Sequence, residues 1–316
     1  MRRAFWTVVT AMAVCTLVFP DAVPAGQKKV GGVTMPLLKI DQGARMSGMG
    51  GSYAAIGDDI GMIHINPAGL THVERGEYSF SYTRWLSNTK FYSGEAAFKT
   101  GYGVVGLSVV SYTPEEMEES TIFQPNGTGR MLDIGTVSIG VAFAKKLTDR
   151  LSFGFVGRWT SQNLDLETVT VYDISLGTKF YTGFKSLRFG MAFMNLGKDI
   201  KVSGGETQLM PVVFSVAAAM ETFGEVGDPA YLTVTGENYY ATDYSEPQYR
   251  LGGEAWLQNT VALRAGYKFN YDIETYSVGA GVKFQPAEGK EIRVDFSYTQ
   301  FDFFDPPLRF TLSGSF

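Results

Sequence analysis

An antiparallel β-barrel of fourteen strands, built to cross an outer membrane, is the fold the sequence predicts, and three observations predict it. Segments of about ten residues with period-two hydrophobicity follow one another from residue 76 to the end, separated by turn residues. Beyond residue 25 there is no uninterrupted apolar run of the roughly 18 residues that a membrane-spanning helix needs. The composition is 14% aromatic, with 23 Phe, 17 Tyr and 37 Gly among 316 residues, which suits aromatic girdles outside and small side chains in a lumen.

Residues 1–25 read as a secretory signal peptide: Arg2 and Arg3, an apolar stretch from Ala4 to Phe19, then Val23-Pro24-Ala25 before Gly26. The one cysteine, Cys15, lies inside that apolar stretch behind Val14 and belongs with it. Its removal leaves a chain with neither disulfides nor thiolate metal sites. Loss of Arg2, Arg3 and Asp21 takes the charged residues from 27 basic and 32 acidic to 25 and 31, a net charge of about −6. That balance excludes a nucleic-acid partner as the simplest reading.

Residues 26–75 form an N-terminal segment of different character. Its stretch Asp41 to Arg75 is rich in Gly and Ala and holds both histidines, His64 and His72. The order is Gly43-Ala44-Arg45, Gly48-Met49-Gly50-Gly51, Asp58-Asp59 and Asn66-Pro67-Ala68-Gly69. This series resembles the N-terminal hatch of the FadL-like outer-membrane transporters, and more closely the PorV/PorQ branch, over about 30 residues. The resemblance implies a lumen occupied by a hatch. Gly48, Gly50 and Gly51 would let backbone pass close, Asn66 with Pro67 would make a rigid turn against the wall, and Asp58, Asp59, Ala68 and Gly69 would complete a motif for hatch folding or gating. Where family members often carry an aromatic pair before the Asn-Pro, this chain has His64 and Ile65, so no role of that pair is carried over.

Residues 76–316 supply the barrel. The fourteen segments are Gly76 to Ser87, Thr89 to Thr100, Tyr102 to Thr113, Met131 to Leu147, Arg150 to Asn163, Thr168 to Tyr181, Lys185 to Leu196, Leu209 to Thr222, Ala230 to Asn238, Gln248 to Leu257, Thr260 to Asn270, Glu274 to Gln285, Glu291 to Phe301 and Pro307 to Phe316. With both ends on the periplasmic side, the periplasmic turns are mostly brief and the outer connections mostly longer. Phe223 to Pro229 and the turn near Asn88 break that phase. In the last segment Leu308, Phe310, Leu312, Gly314 and Phe316 alternate with Arg309, Thr311, Ser313 and Ser315. An open edge of this kind recruits other strands, whereas closure onto the first strand removes it. Phe310, Leu312 and the terminal Phe316 also resemble the signal read by the bacterial barrel-assembly machinery.

The inward phase carries Glu95, Arg158, Lys179, Arg188, Glu254, Arg264, Lys268, Lys283, Arg293 and Asp295, read as ion pairs packing a polar interior. Enzyme readings fail: Gly101-x-Gly103-x-x-Gly106 opens a strand rather than a helix, and neither histidine lies on the wall beside a serine. Asp58, Asp59 and His64 lack the fixed context of a metal site and read as hydrogen-bonding groups. No catalytic residue, metal or cofactor is expected. The FadL-like resemblance implies transport of hydrophobic small molecules. The PorV/PorQ branch implies an alternative, a component of protein export through a type IX system that binds secreted proteins by its outer loops. Those loops are Pro114 to Arg130, with Glu115, Glu116, Glu118 and Glu119, and Tyr239 to Pro247. Expected partners are outer-membrane lipid and lipopolysaccharide, whose divalent cations the glutamates would meet, and the assembly machinery.

Overall fold

In the computed structural model, residues 33–201, 207–244, 246–287 and 289–316 are described; the signal peptide expected over 1–25 lies outside them. Fourteen strands close into one antiparallel barrel: β1 (Gly76–Arg84), β2 (Lys90–Lys99), β3 (Val104–Thr113), β4 (Ile134–Lys146), β5 (Leu151–Leu164), β6 (Thr168–Tyr181), β7 (Arg188–Gly197), β10 (Val213–Phe223), β11 (Ala230–Ala241), β12 (Gln248–Leu257), β13 (Val261–Phe269), β14 (Glu274–Ala287), β15 (Lys290–Phe301) and β16 (Leu308–Ser315). The two-residue strands β8 (Ile200–Lys201) and β9 (Thr207–Gln208) make a separate hairpin in the connection between β7 and β10. The predicted fold class therefore holds, including its strand count.

Alternation explains the shell. In β3, Val104, Gly106, Ser108 and Val110 are buried while Val105, Leu107 and Val109 point outward. Because the side-chain period is two, each strand offers one apolar face and one face of small or charged groups. β1 pairs with β16 in the register Glu77 to Ser315 through Arg84 to Leu308, so no edge is left open. Phe316 continues the seam: it exchanges backbone bonds with Gly76, and its ring lies 6.5 Å from that of Tyr78 and 6.1 Å from that of Phe98.

Several strand ends differ from the expected ones by a few residues, and at three places the cause is local. β10 starts at Val213, not Leu209, because Pro211 has no N–H for a ladder; Leu209 instead accepts a backbone bond from Thr34. β14 runs on through Pro286 to Ala287, with a register shift between Phe284 and Ala287 that accommodates the proline. In β7, Met194 and Asn195 are consecutive buried residues and Asn195 has φ 61°, a bulge that shifts the β6–β7 register between Ile174 and Leu176.

Residues 33–75 run from the end of the barrel with the longer connections to the end with the shorter turns. Leu37 clusters with Phe91, Val110 and Val171 at the first end, and Thr71 bonds Ser152 at the second. Between them lie a helical turn, Ala44–Gly48, packed on β14 and β15, and a 3-10 turn, Pro67–His72, packed on β4, β5 and β6. Asp59 caps a further 3-10 turn, Ile60–His64, by accepting from the Gly61 N–H, and Asn66 caps Pro67–His72 by accepting from the Ala68 N–H, with Pro67 at the first position, where no donor is missed.

Candidate functional site

Glycines on the wall set how closely this segment seats. A Cβ at Gly190 would collide with the Ala54 carbonyl, one at Gly177 with Asn66 Oδ1, one at Gly154 with Pro67 and Ala68, and one at Gly266 with the Gly50 backbone. Only a residue without a side chain lets two backbones approach so far. Gly50 and Gly51, at φ 67° and 72°, turn the segment where it meets β12 and β13. Gly48 packs on Gly279 of β14.

Polar anchors supplement that contact. Asn66 donates from Nδ2 to the Ala54 carbonyl at 2.8 Å and to the Thr178 carbonyl of β6 at 2.9 Å. Glu237 accepts from the Tyr53 and Ala54 N–H groups at 2.8 and 3.1 Å. Lys179 donates to Gly57 O at 2.7 Å, and Arg188, held by Glu221 at 2.9 Å, donates to Ala55 O.

The densest cluster surrounds Arg45. Its guanidinium meets Glu254 at 2.6 and 2.8 Å and Asp58 at 2.8 Å. Glu254 also accepts from Arg264, which reaches Asp295 at 2.7 Å; Asp295 accepts from Arg293, which returns to Asp59 at 2.6 Å. With Arg45 also 3.5 Å from Asp59, three arginines and the buried Glu254, Asp295 and Asp59 form a closed circuit between segment and wall, and the exposed Asp58 joins it at Arg45. Burial alone would raise the Asp59 pKa, but Arg293 and Arg45 outweigh it and hold the group at about 2. Nearer the long loops, Asp41 accepts from Lys268 at 3.0 Å and faces Arg250. Burial is again the largest influence and is overcome by Lys268 and Arg250, leaving Asp41 at about 2.

The histidines take separate carboxylates. His64 Nε2 lies 2.8 Å from Glu95, and His72 lies 2.9 Å from Glu77 with its Nδ1 on the Gly69 carbonyl. Asp58 and Asp59 are therefore spent on Arg45 and Arg293, and His64 on Glu95, rather than converging on one point. Glu95, Arg158, Lys179, Arg188, Glu254, Arg264, Lys268, Arg293 and Asp295 are all buried. The sequence reading passed over Asp41, Asp173, Glu221, Glu237 and Arg250. The signal was present for Arg250, which shares its strand parity with Glu254.

Little space remains inside. A cavity of about 30 Å³ lies between Leu37, Ile40, Ile65, Met194, Arg158 and Arg250, and one of about 20 Å³ between Arg45, His64, Glu95 and Arg293. Each has room for a water molecule or two. A larger depression, about 470 Å³, opens on the outer wall at the β7 bulge, lined by Tyr172, Asp173, Ile174, Leu196, Gly197 and Val212, with Lys198 at its rim.

The model of an uncharacterised protein family (UPF0164) matches residues 7–208. No curated protein matches the sequence. Among solved structures, the Pseudomonas putida toluene transporter TodX is similar with a TM-score of 0.57 and 12% identity, over 86% of this chain and 97% of that one. The CymD monoaromatic hydrocarbon channel gives 0.55 and 13%, over 87% and 97%. A Pseudomonas aeruginosa FadL homologue gives 0.53 and 12%, over 90% and 99%. At such identities the likeness is one of fold, and it is to FadL-type outer-membrane barrels.

Proposed function

The chain belongs to the uncharacterised protein family UPF0164, and from that premise we propose that it is an outer-membrane protein that moves hydrophobic small molecules by a FadL-like route, with residues 33–75 as its hatch. The observation that carries this reading is the filled lumen. A diffusion pore needs a continuous watery path, whereas here cavities of about 30 and 20 Å³ lie beside the segment, which is held by glycine contacts and a buried ion circuit. A filled barrel passes solute only if the hatch shifts or the wall opens. Both are routes that suit molecules already dissolved in the lipid. The solved barrels of like fold include a toluene transporter and a monoaromatic hydrocarbon channel, which supports the same solute class.

The hatch motif, Gly48, Gly50, Gly51, Asp58, Asp59, Asn66, Pro67, Ala68 and Gly69, then seats and releases the segment rather than touching substrate. Outer-membrane lipid surrounds the outward apolar band, and Phe310, Leu312 and Phe316 serve recognition by the assembly machinery. The export alternative would act through the outer loops, and no contact among the described residues favours it. The test is uptake into proteoliposomes. Labelled toluene should enter faster than into protein-free vesicles, and a labelled sugar should not. Equal uptake of the sugar would make the protein a porin, and no gain for either solute would overturn transport.

A further inference from the structure

The rim at the short-turn end of the barrel divides into two halves of unlike charge. From the approach to β1 round to β7 it carries Arg75, Lys99, Lys145, Lys146, Arg150 and Lys185, all exposed. These lie along one continuous arc. Lys99 donates its N–H to the Arg75 carbonyl, Val104 pairs with Ala144 and Lys146 with Ser152, and Tyr181 donates its N–H to the Arg150 carbonyl. Glu74 and Asp149 are the exposed acids there, and Glu77 is held by His72. The other half differs. The turn after β10 holds Glu225 and Asp228, the turn after β12 holds Gln258 and Asn259 without a charge, and after β14 the sequence gives Glu288, Lys290 and Glu291.

Among the described residues none of the six cations of the arc makes an ion pair, whereas the lumen pairs Arg45, Arg158, Arg188 and Arg264 with carboxylates. Each of the three turns also exposes a large apolar side chain beside its charge: Tyr102, Leu147 and Phe184, at 82%, 58% and 59%. The turns are brief, closed by the Thr100 N–H on Gly103 O at 2.7 Å, the Thr148 N–H on Leu151 O and the Thr182 N–H on Leu187 O, both at 3.1 Å. A turn that short holds its charge next to the outward apolar face, here Phe98, Val105 and Phe189, at the depth where lipid headgroups lie. A lysine or arginine so placed lays its stem along apolar groups and keeps its charge among phosphates. What the arc attracts is therefore anionic, and the apolar member at each turn favours a lipid over a soluble acidic protein. Such a protein would have to enter the headgroup layer to reach the charges.

We propose that this arc binds anionic phospholipid of the adjoining leaflet, its phosphates on the unpaired lysines and arginines and its acyl chains against the apolar face, while the half from β10 to β15 takes neutral lipid. The inference rests on the membrane reading of the barrel and not on transport. Cations close to an anionic membrane surface add their attractions, and the attraction fades within a Debye length. Strands of the same arc carry the 3-10 turns on their inner faces, Ile60–His64 on β1 and β2 and Pro67–His72 on β4, β5 and β6. Bound lipid thus steadies the part of the wall on which that stretch of the lumen segment sits.

An indole reporter placed on each half tests this. Tyr102→Trp and Phe223→Trp, both at exposed positions, are reconstituted as full chains in vesicles of equal parts phosphatidylcholine and phosphatidylglycerol, with the acyl chains of one lipid or the other brominated. Quenching is read over that of the parent chain. At position 102 brominated phosphatidylglycerol should quench at least about threefold more than brominated phosphatidylcholine, and high salt should erase the difference. At position 223 the two should quench alike. Lys145→Gln, Lys146→Gln and Arg150→Gln together, all on the exposed turn beside β3, should make quenching at 102 equal as well. Equal quenching at 102 in the otherwise unchanged chain overturns the site, and is the result expected if an acidic protein is the occupant. An equal preference at 223, or a preference at 102 that survives the three substitutions, overturns it too. Quenching by neither lipid at either position overturns the site and the membrane reading together.

Discussion

Arg45 holds together charges that the sequence separates by up to two hundred positions. Replacing it by alanine leaves the buried Glu254 with Arg264 as its remaining cation and takes the ion pair from the exposed Asp58, a loss bounded by the roughly 3 to 5 kcal/mol of a buried pair broken on one side. Amide exchange over residues 44–58 should then quicken by two orders of magnitude or more while the strands stay protected; unchanged exchange would mean the circuit does not hold the segment. The same residues predict an acid response. Asp41 and Asp59 have folded pKa values of about 2, below the unfolded carboxylate value of about 3.9. A depressed pKa contributes stability that is full above the unfolded value and is lost as pH falls through the folded one. Protease cleavage within 41–59 should therefore rise between about pH 4 and 2, and flat cleavage across that window would contradict it. The sequence showed Asp58 and Asp59 as a motif and Glu254 and Arg293 as inward residues. It did not show that they meet, because strand parity gives the face of a residue and not its height in the barrel or what crosses the lumen beside it.

At the scale of elements, the strands were legible wherever parity is kept, as in β3 and β13, and misplaced where a residue breaks it. Pro211 delays β10, and Met194 with Asn195 put two neighbours on one face, which no alternating pattern announces. The wall glycines were legible as composition but not as a docking track. Gly190→Leu would drive a side chain into the Ala54 carbonyl, and overpacking of this kind costs typically about 1 to 3 kcal/mol. The barrel should still form, with its heat-modifiable migration on gels preserved, while the segment becomes accessible to protease. Resistance equal to that of the parent chain would show that the wall yields there. Deleting Phe316 removes the ring packed on Gly76 and between Tyr78 and Phe98 at the closing seam. Outer-membrane levels should fall severalfold, and normal levels would count against a role in assembly.

For the whole molecule, the even strand count, the brief turns at one end and the unfinished edge at the terminus together made a closed barrel readable from the sequence. The course of residues 33–75 from one end of the barrel to the other was not readable, since no period or charge pattern says where a glycine-rich stretch packs. If that stretch acts as a hatch, replacing Asn66 and Pro67 together by alanine removes the cap on the Pro67–His72 turn and the bonds to Ala54 and Thr178. Conductance in a planar bilayer should rise from near zero to discrete openings, and a silent bilayer would sink the gating role.

Thr34 is bonded to Leu209 at one mouth of the barrel, and Lys99 is bonded to Arg75 at the other, so the chain is threaded like a cord through a bead before β1 begins. Threading a finished ring would require pulling some forty residues, with the buried Asp41, Arg45 and Asp59 among them, end to end through the lumen against which they pack. Wrapping is the easier path: the cord is laid down first, the wall grows around it from β2 onward, and β16 draws the ring shut against β1 last.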